Sequence, residues 1–170
     1  MGIEIELVNQ DGGVVGKKEK FEVHKNPVPL HRAISVIIFD KDKQKMLIQK
    51  RAADKPTWPL IWSNATCTHP LPEESYKDAA ERRLQEEMGF TVPLSEAFKF
   101  TYKAEYDKTW GEHEYDVVFV GEYQGKVDPN FSEVEDYKWI RVDELKKDIL
   151  ENSNSYSPWF KIILKKLNIT

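Results

Sequence analysis

The sequence contains little of what secreted and membrane proteins depend on. It has one cysteine among 170 residues, so no disulfide can form within the chain and a reducing compartment is expected. Its longest apolar run, near residues 34–39, is far too short to span a bilayer. The first ten residues lack the basic and apolar regions of a signal peptide. We therefore predict a cytoplasmic protein with no membrane partner.

The sequence also has fewer basic than acidic residues. Lys and Arg number 25 against 29 Asp and Glu, which gives a net charge of −4. An excess of acidic residues argues against binding to nucleic acid, because phosphates attract a basic surface. A phosphate-bearing ligand would need a local group of basic side chains or a metal cation. We expect a small-molecule substrate, and we expect the chain to be a monomer or a weak homodimer.

The sequence does contain enough apolar and aromatic material for a packed core. Hydrophobic residues make up 40% of the chain and charged residues 32%, and there are five Trp, seven Tyr and eight Phe. This composition is typical of a folded globule rather than a disordered chain. No repeat, low-complexity tract or linker interrupts it, and the length suits one core. Residues 1–170 are therefore predicted to form a single domain.

The periodicity of apolar residues predicts a mixed sheet flanked by helices, of class α+β or α/β. Strands are predicted at residues 3–8, 33–39, 45–50, 98–106 and 114–123, and helices at 75–88, 142–150 and 158–167. In the first helix Tyr76, Ala80, Leu84 and Met88 recur every four residues, and Gly89 ends it. Residues 54–73 hold four prolines and two tryptophans. They are predicted to form a long loop of the kind that carries function.

The first predicted helix is rich in charge. Arg82 with Glu86, and Arg83 with Glu87, have the i,i+4 spacing of ion pairs on a solvated helix face. Glu87, however, lies about 60° from Leu84 around the helix, at the edge of the buried stripe. A carboxylate there must pair with a cation or lose its solvation. A divalent cation bound to a diphosphate would meet that need, since hard cations prefer carboxylate and phosphate oxygens. Both interpretations stay open.

The histidines and one pair of glutamates form a second group of interest. Four histidines occur, at positions 24, 31, 69 and 113. Glu112 and Glu114 are two apart in a strand-like segment, so they share one face and His113 points to the other. Two like charges on one face repel unless a cation or a proton lies between them. Three imidazoles and two carboxylates would suit manganese, zinc or iron, magnesium less well, and calcium not at all. Spacing alone does not distinguish a metal site from packed or surface histidines.

The helix resembles the signature of the Nudix family, in which a glycine and a glutamate precede Arg-Glu-x-x-Glu-Glu-x-Gly. The matching residues are Glu74, Arg82, Glu86, Glu87 and Gly89. Two positions depart from the signature: Thr68 stands in place of the glycine, and Arg83 in place of the first helical glutamate. The second departure argues against ordinary Nudix hydrolysis, because a guanidinium is better suited to phosphate oxygens than to a metal.

Further segments resemble the type I isopentenyl-diphosphate isomerases, a Nudix-fold family. They are His31-Arg-Ala-Ile-Ser-Val, Lys50-Arg51-Ala-Ala-Asp-Lys55, Trp62-Ser-Asn-Ala-Thr-Cys67-Thr-His69-Pro70, Glu112-His-Glu114 and Ser157-Pro-Trp159. The resemblance runs from about residue 5 to the last predicted helix. It implies a Nudix-like α/β/α sandwich of class α+β. It also implies the conversion of isopentenyl diphosphate to dimethylallyl diphosphate by a 1,3-proton shift, a step of isoprenoid biosynthesis.

The resemblance implies a role for each matching residue. The family's five-ligand metal site, for manganese, zinc or magnesium, corresponds to His24, His31, His69, Glu112 and Glu114. Its catalytic pair corresponds to Cys67 and Glu114, with Tyr102 in support and Trp159 as an aromatic wall. Its phosphate contacts correspond to Lys20, Arg51, Lys55 and Arg83. Glu87 would hold a second metal, magnesium, against the diphosphate.

The implied chemistry explains why such residue types are needed. A 1,3-proton shift requires acid/base groups on opposite faces of the alkene, and Cys67 and Glu114 are the candidates. The cations around Cys67 are expected to favour its thiolate. Protonation of an alkene creates positive charge, so the pocket is expected to be dry and lined by aromatic faces such as Trp159. Two alternatives are a Nudix hydrolase of a nucleoside or prenyl diphosphate, and an inactive metal- or ligand-binding module on the same fold.

Overall fold

The computed structural model describes residues 2–169. Within them, the strands are β1 Glu4–Val8, β2 Val14–Glu19, β3 His31–Phe39, β4 Lys45–Arg51, β5 Trp62–Ser63, β6 Thr66–Thr68, β7 Ser95–Glu105, β8 Gly111–Glu122 and β9 Val134–Arg141. The helices are α1 Lys20–Val23, α2 Tyr76–Met88, α3 Val142–Glu151 and α4 Pro158–Lys166, with a short 3-10 turn at Ser153–Ser155. No helix among the described residues is long and apolar enough to cross a membrane.

Strand β3 is the centre of a mixed sheet. It is antiparallel to β1, β4 and β6 and parallel to β8. Strand β2 pairs with β1, β7 with β8, and both β5 and β9 with β4. The parallel β3–β8 pair among antiparallel neighbours confirms the prediction of a mixed sheet.

Alternating residues of β3 face two separate hydrophobic clusters, because successive side chains of a strand point to opposite faces. Ile34 and Ile38 pack in the cluster that contains Leu84 of α2. Ile37, between them in the strand, packs in the cluster that contains Phe160 of α4. Helix α2 therefore covers one face of the sheet, and α3 and α4 cover the other. The predicted α/β/α sandwich of class α+β is confirmed.

Helix α2 forms where the sequence predicted it. Ser75 precedes the first turn, and its hydroxyl accepts a hydrogen bond of 3.0 Å from the backbone N–H of Asp78. Ala80, Leu84 and Met88 are fully buried. Gly89 ends the helix with φ of 78°, a left-handed conformation that favours glycine.

Parts of the fold were not predicted. The sequence pattern did not predict strand β9, because its side chains do not alternate between buried and exposed. Strand β2 lies at the edge of the sheet and exposes both of its valines, and α1 is a single turn. The predicted loop at residues 54–73 contains the short strands β5 and β6. Strands β5, β6 and β9 are held by pairing with β4 or β3, which a local pattern does not record.

Candidate active site

Three histidines from separate elements meet at one end of the sheet. His24 follows α1, His31 begins β3 and His69 follows β6. The centroids of their rings lie 4.9 to 5.1 Å apart. Nε2 of His24 lies 3.1 Å from Nε2 of His69. The chain therefore folds so that three imidazoles share one small volume.

Hydrogen bonds to backbone carbonyls fix the direction of each ring. Nδ1 of His24 donates to the carbonyl of Lys20 at 2.6 Å, Nδ1 of His31 to Pro29 at 2.8 Å, and Nδ1 of His69 to Arg32 at 2.9 Å. A carbonyl oxygen only accepts, so Nδ1 carries the proton when the ring is neutral. The lone pair of each Nε2 is then free for a cation, which is how metal-ligating histidines are usually held.

Strand β8 brings two carboxylates to the histidines. Oε2 of Glu112 lies 3.3 Å from Nε2 of His24 and 3.7 Å from Nε2 of His31. Oε1 of Glu114 lies 3.8 Å from Nε2 of His31 and 3.8 Å from Nδ1 of His69. His113, between the two glutamates, turns away, and its Nδ1 lies 3.1 Å from the carbonyl of Val28.

This donor set fits a divalent cation. Ligand atoms of His24, His31, His69 and Glu112 all lie within 4.8 Å of one another. Nε2 of His31 and Oε2 of Glu112 are buried, and neither has a hydrogen-bond partner among the described residues. A buried polar atom without a partner costs free energy that a bound cation would recover. Burial lowers the pKa of His31 to about 4, so its ring is neutral and able to ligate.

Cys67 lies in β6 beside the centre of the sheet. It pairs with Ser35 of β3, and its Sγ is 3.7 Å from Nη1 of Arg51. Burial raises the pKa of the thiol to about 12, and the nearby Arg51 guanidinium only partly opposes that shift. The expectation that nearby cations favour a thiolate is therefore wrong. Loss of solvation outweighs the attraction of one guanidinium, so the sulfur carries its proton.

Tyr102 and Glu114 stand opposite each other on β7 and β8. The hydroxyl of Tyr102 donates to Oε2 of Glu114 at 2.5 Å. Burial raises the pKa of Glu114 well above its ordinary value, and the charges of Glu112 and Asp116 raise it further. The Glu114 carboxyl therefore holds a proton more strongly than an exposed glutamate does.

One cavity of about 120 Å³ opens onto both Cys67 and Glu114. Its walls are formed by Lys20, Phe21, His24, Arg51, Lys55, Pro56, Thr57, Cys67, Thr68, His69, Arg83, Tyr102, Trp110, Glu112, Glu114 and Trp159. Thirteen residues were selected from the sequence, and eleven of them line this cavity. The other two, His31 and Glu87, are buried behind the wall.

Basic side chains line part of this wall. Lys20, Lys55 and Arg83 all contribute to it. Burial, together with the charges of Lys55 and Arg83, lowers the pKa of Lys20. Such a shift indicates that three cations are close to one another and poorly hydrated. This region therefore favours an anionic group.

Glu87 is paired within its own helix. It is 4% exposed, and Oε1 accepts a hydrogen bond of 2.6 Å from Nη2 of Arg83. Its Oε2 accepts one of 2.8 Å from Nε2 of Gln49. The i,i+4 pair expected between Arg83 and Glu87 is thus formed, although Glu87 is buried rather than solvated. Arg82 forms the expected i,i+4 pair with Glu86 at 3.3 Å and also binds Glu74, through hydrogen bonds of 2.7 and 2.8 Å.

An aromatic side chain forms the wall near the thiol. Trp159 of α4 is 3% exposed, and its ring centroid lies 6.3 Å from that of Tyr102. The guanidinium carbon of Arg51 is 5.3 Å from the Trp159 ring. Arg51 is itself held by the carbonyls of Trp58 and Thr57, each at 3.0 Å. The indole is therefore close to a cation in a largely dry environment.

Several residues at the site were not selected from the sequence. Asp116 is fully buried two positions after Glu114, and the same alternation that relates Glu112 to Glu114 would have found it. Glu133 forms ion pairs with Lys55 and, at 3.6 Å, with Arg83. It precedes the unpredicted strand β9, so no local pattern pointed to it. Phe21 and Trp110, at the cavity, also lacked any sequence signal.

Comparison with known proteins identifies a matching family model and two similar proteins that carry the same enzyme name. A family model described as NUDIX domain matches residues 29–160. Isopentenyl-diphosphate Delta-isomerase 2 of Aromatoleum aromaticum is 39% identical over 164 residues, which cover 96% of this chain and 86% of that protein. Isopentenyl-diphosphate Delta-isomerase of Nocardia farcinica is 39% identical over 163 residues, covering 95% and 92%.

Solved structures share the fold at lower identity. A Deinococcus radiodurans protein superposes with a TM-score of 0.77 at 14% identity, covering 95% of this chain and 98% of its own. A MutT protein from Methanosarcina mazei gives a TM-score of 0.66 at 19% identity, covering 82% and 94%. At this level of identity the likeness concerns the fold alone.

Proposed function

Because this chain belongs to the isopentenyl-diphosphate Delta-isomerase family and carries a NUDIX domain, we propose that it converts isopentenyl diphosphate to dimethylallyl diphosphate. The observation that carries the mechanism is that Cys67 and Glu114 line the same cavity. They come from strands that flank β3 on opposite edges. Their β3 neighbours, Ser35 and His31, are an even number of positions apart, so all four side chains lie on one face of the sheet.

The reaction moves one double bond and leaves the diphosphate intact. The terminal alkene carbon gains a proton, and the positive charge falls on the tertiary carbon beside it. The carbon on the other side of that tertiary carbon then loses a proton to form the new double bond. One group must donate and another must accept, from two sides of a chain five carbons long.

Glu114 is the proposed proton donor. Its raised pKa favours the protonated carboxyl, and the hydrogen bond from Tyr102 holds Oε2 in place. A divalent cation held by His24, His31, His69, Glu112 and Glu114 would strengthen the acidity of the Glu114 carboxyl and offset the charge of the Glu112 carboxylate. Manganese, zinc and magnesium are the candidates, of which zinc prefers imidazole ligands most and magnesium least.

Cys67 is the proposed proton acceptor. Burial raises its pKa to about 12, so the thiol must first lose its proton to solvent, and the resulting thiolate is a strong base. The proton that it takes from the substrate restores the thiol, and Glu114 regains a proton from solvent. Nη1 of Arg51, 3.7 Å from Sγ, is the positive charge nearest to that thiolate among the contacts of the described residues. We propose that Arg51 stabilises the ionised sulfur as well as contacting a phosphate.

The remaining wall residues bind the two ends of the substrate. Trp159 presents an aromatic ring to the positive carbon, an interaction of about 2 kcal/mol or more in a desolvated site. Lys20, Lys55 and Arg83 offer the diphosphate a basic wall. A magnesium ion on the diphosphate could also be held by Glu87, provided that Glu87 gives up its bond to Arg83.

A proton NMR experiment in deuterated buffer tests the proposal. Purified protein with metal is incubated with isopentenyl diphosphate, and the trisubstituted alkene of dimethylallyl diphosphate is expected to appear with deuterium incorporated. A Nudix hydrolase would instead release a monophosphate or inorganic phosphate. An inactive binding module would leave the substrate unchanged, and either of these results would overturn the assignment.

A further inference from the structure

The indole of Trp159 ends in a buried hydrogen bond to a neighbouring serine. Its Nε1–H donates to Oγ of Ser63 at 3.0 Å. Ser63 lies in β5 and is fully buried, as is Ser157, which directly precedes α4. An indole nitrogen can only donate, so a buried tryptophan needs an acceptor at this position.

Every hydrogen-bonding position of the Ser63 hydroxyl is used. It accepts from Trp159 and shares a contact of 2.9 Å with Oγ of Ser157. It also donates to Oδ1 of Asn64 at 2.9 Å, so the Ser157 hydroxyl must be the donor in the shared contact. A hydroxyl has one donor and two acceptor positions, and all three are therefore occupied. A fully satisfied buried network of this kind is rigid.

The network joins the aromatic wall to the strand that carries the thiol. Nδ2 of Asn64 donates to the carbonyl of Thr66 at 2.6 Å and to that of Val36 at 3.3 Å. Thr66 begins β6 and directly precedes Cys67. A short chain of hydrogen bonds therefore runs from the Trp159 ring through Ser63 and Asn64 to the backbone beside the proton-accepting sulfur.

We propose that Ser63 is a positioning residue that sets the Trp159 ring against the substrate's positive carbon; the inference rests on the proposed isomerase function. A second contact restrains the ring from another direction, since Trp58 meets it edge-on at 5.5 Å with an interplanar angle of 88°. The edge-on contact with Trp58 does not by itself prevent rotation of the ring about its Cβ–Cγ bond, and the bond to Ser63 restrains that rotation. The attraction between a cation and a ring depends on the cation lying over the ring face.

Loss of that orientation has a chemical consequence. If the ring tilts, water can reach the tertiary carbon during its cationic lifetime. The water oxygen then bonds to that carbon and releases a proton, which gives a tertiary alcohol diphosphate instead of the alkene. Ser63 is thus expected to affect the ratio of the two products as well as the rate.

The experiment compares Ser63→Ala with Thr66→Val. Both remove a buried hydroxyl, but Oγ1 of Thr66 has no hydrogen-bond partner among the described residues. Ser63→Ala is expected to lower kcat about tenfold with KM within about twofold, as for the loss of one positioned contact. Mass spectrometry in ¹⁸O-labelled water is expected to detect the labelled alcohol with Ser63→Ala, and Thr66→Val is expected to behave as the natural protein.

A second measurement reports directly on the hydrogen bond of the Trp159 indole. Hydrogen exchange of the Trp159 indole proton, assigned in NMR spectra by its absence in Trp159→Phe, is expected to be at least tenfold faster in Ser63→Ala than in Thr66→Val. Equal exchange rates, or an unchanged kcat in Ser63→Ala, would overturn the proposal. Should Ser63→Ala not fold, Ser63→Cys tests the same bond, because sulfur is a weak acceptor and the indole is kept; faster exchange than in Thr66→Val is again expected, and equal exchange would overturn the proposal. Failure of the isomerase function would appear separately, as a natural protein that makes no dimethylallyl diphosphate.

Discussion

The hydroxyl of Tyr102 donates a 2.5 Å hydrogen bond to Oε2 of Glu114 from the directly opposite position on the neighbouring strand. Strand pairing alone brings the Tyr102 hydroxyl to the Glu114 carboxyl, so the geometry of this hydrogen bond follows from the register of β7 and β8. Both residues are buried and line the cavity that also holds Cys67.

Tyr102→Phe is expected to lower kcat while KM changes little. The ring would keep its contact with Phe100, whose centroid is 5.6 Å away, so only the hydroxyl is lost. A hydrogen bond to a group that changes charge contributes about 1.5–3 kcal/mol, which corresponds to roughly ten- to a hundredfold in rate. Steady-state kinetics measure the change, and a kcat equal to that of the natural protein would contradict the role given to Tyr102.

Cys67→Ala is expected to abolish nearly all isomerase turnover, by roughly 10²- to 10⁴-fold, because it removes the proposed proton acceptor. The overall fold and the metal content are expected to survive, since the sulfur is not needed to complete the histidine cluster. Circular dichroism and metal analysis provide the controls. Near-normal turnover in a folded, metal-loaded variant would refute the mechanism.

Added manganese or zinc is expected to raise the melting temperature, and a chelator is expected to reverse the effect. A cation that binds only the folded protein stabilises it by about 2.7 kcal/mol at a concentration 100 times its Kd. His31→Gln is expected to remove most of this stabilisation. His113→Gln is the matched control, because His113 points away from the cluster. Equal metal responses in the two variants, measured by calorimetry, would argue against a site at His31.

Glu74 is expected to contribute stability that is lost in acid. Its hydrogen bonds with Arg82 hold the pKa of its carboxyl below the ordinary value of 4.5. A group whose pKa is lowered by folding stabilises the protein above its unfolded pKa, and that contribution disappears as the pH falls through the lowered value. The side chain is partly exposed, so the effect is about 1 kcal/mol or less.

Glu74→Gln is therefore expected to be less stable than the natural protein at pH 7, and the difference should shrink below about pH 4.5. Urea unfolding across this pH range measures it. Glu81→Gln is the control, since Glu81 pairs with Lys77 at 3.8 Å on the exposed part of α2. A difference that stayed constant down to pH 2.5 would show that the Glu74 charge is not its source.

Gly89→Ala is expected to destabilise the fold by at least about 1–2 kcal/mol, the cost of a left-handed conformation for a residue with a side chain. An added Cβ would also overlap the backbone carbonyl oxygen of Asp128. Gly16→Ala is the comparison, because a Cβ there would meet only a side-chain carbon of Leu7 at 3.8 Å. Thermal unfolding of the two variants should separate them, and equal melting temperatures would disprove the strain.

Local pattern was sufficient for much of the fold. The period of Tyr76, Ala80, Leu84 and Met88 identified α2, because a helix buries every third or fourth residue wherever it packs. The apolar run at residues 33–39 identified β3 as a strand, because a strand that is covered on both faces is apolar at nearly every position. Pattern failed at β9, whose residues are held by pairing with β4 rather than by a buried face of their own.

The candidate site was likewise predicted only in part from local sequence. Resemblance selected Cys67, Glu114 and the three histidines, because the motifs that contain them are local in sequence. Their meeting in one volume depends on the register of β3 with β6 and β8, which no single segment contains. Glu133 and Ser63 were missed because each acts through a partner far away in the chain.

The sequence by itself determined which residue types are available and where elements with a strong apolar pattern form, such as α2 and β3, since both follow from interactions within a few positions. The tertiary structure decided the protonation of Cys67, the partner of Glu87 and the orientation of Trp159. Those properties depend on the removal of water and on the neighbours that replace it. Burial is a property of the packed chain, and so the thiol expected to ionise instead keeps its proton.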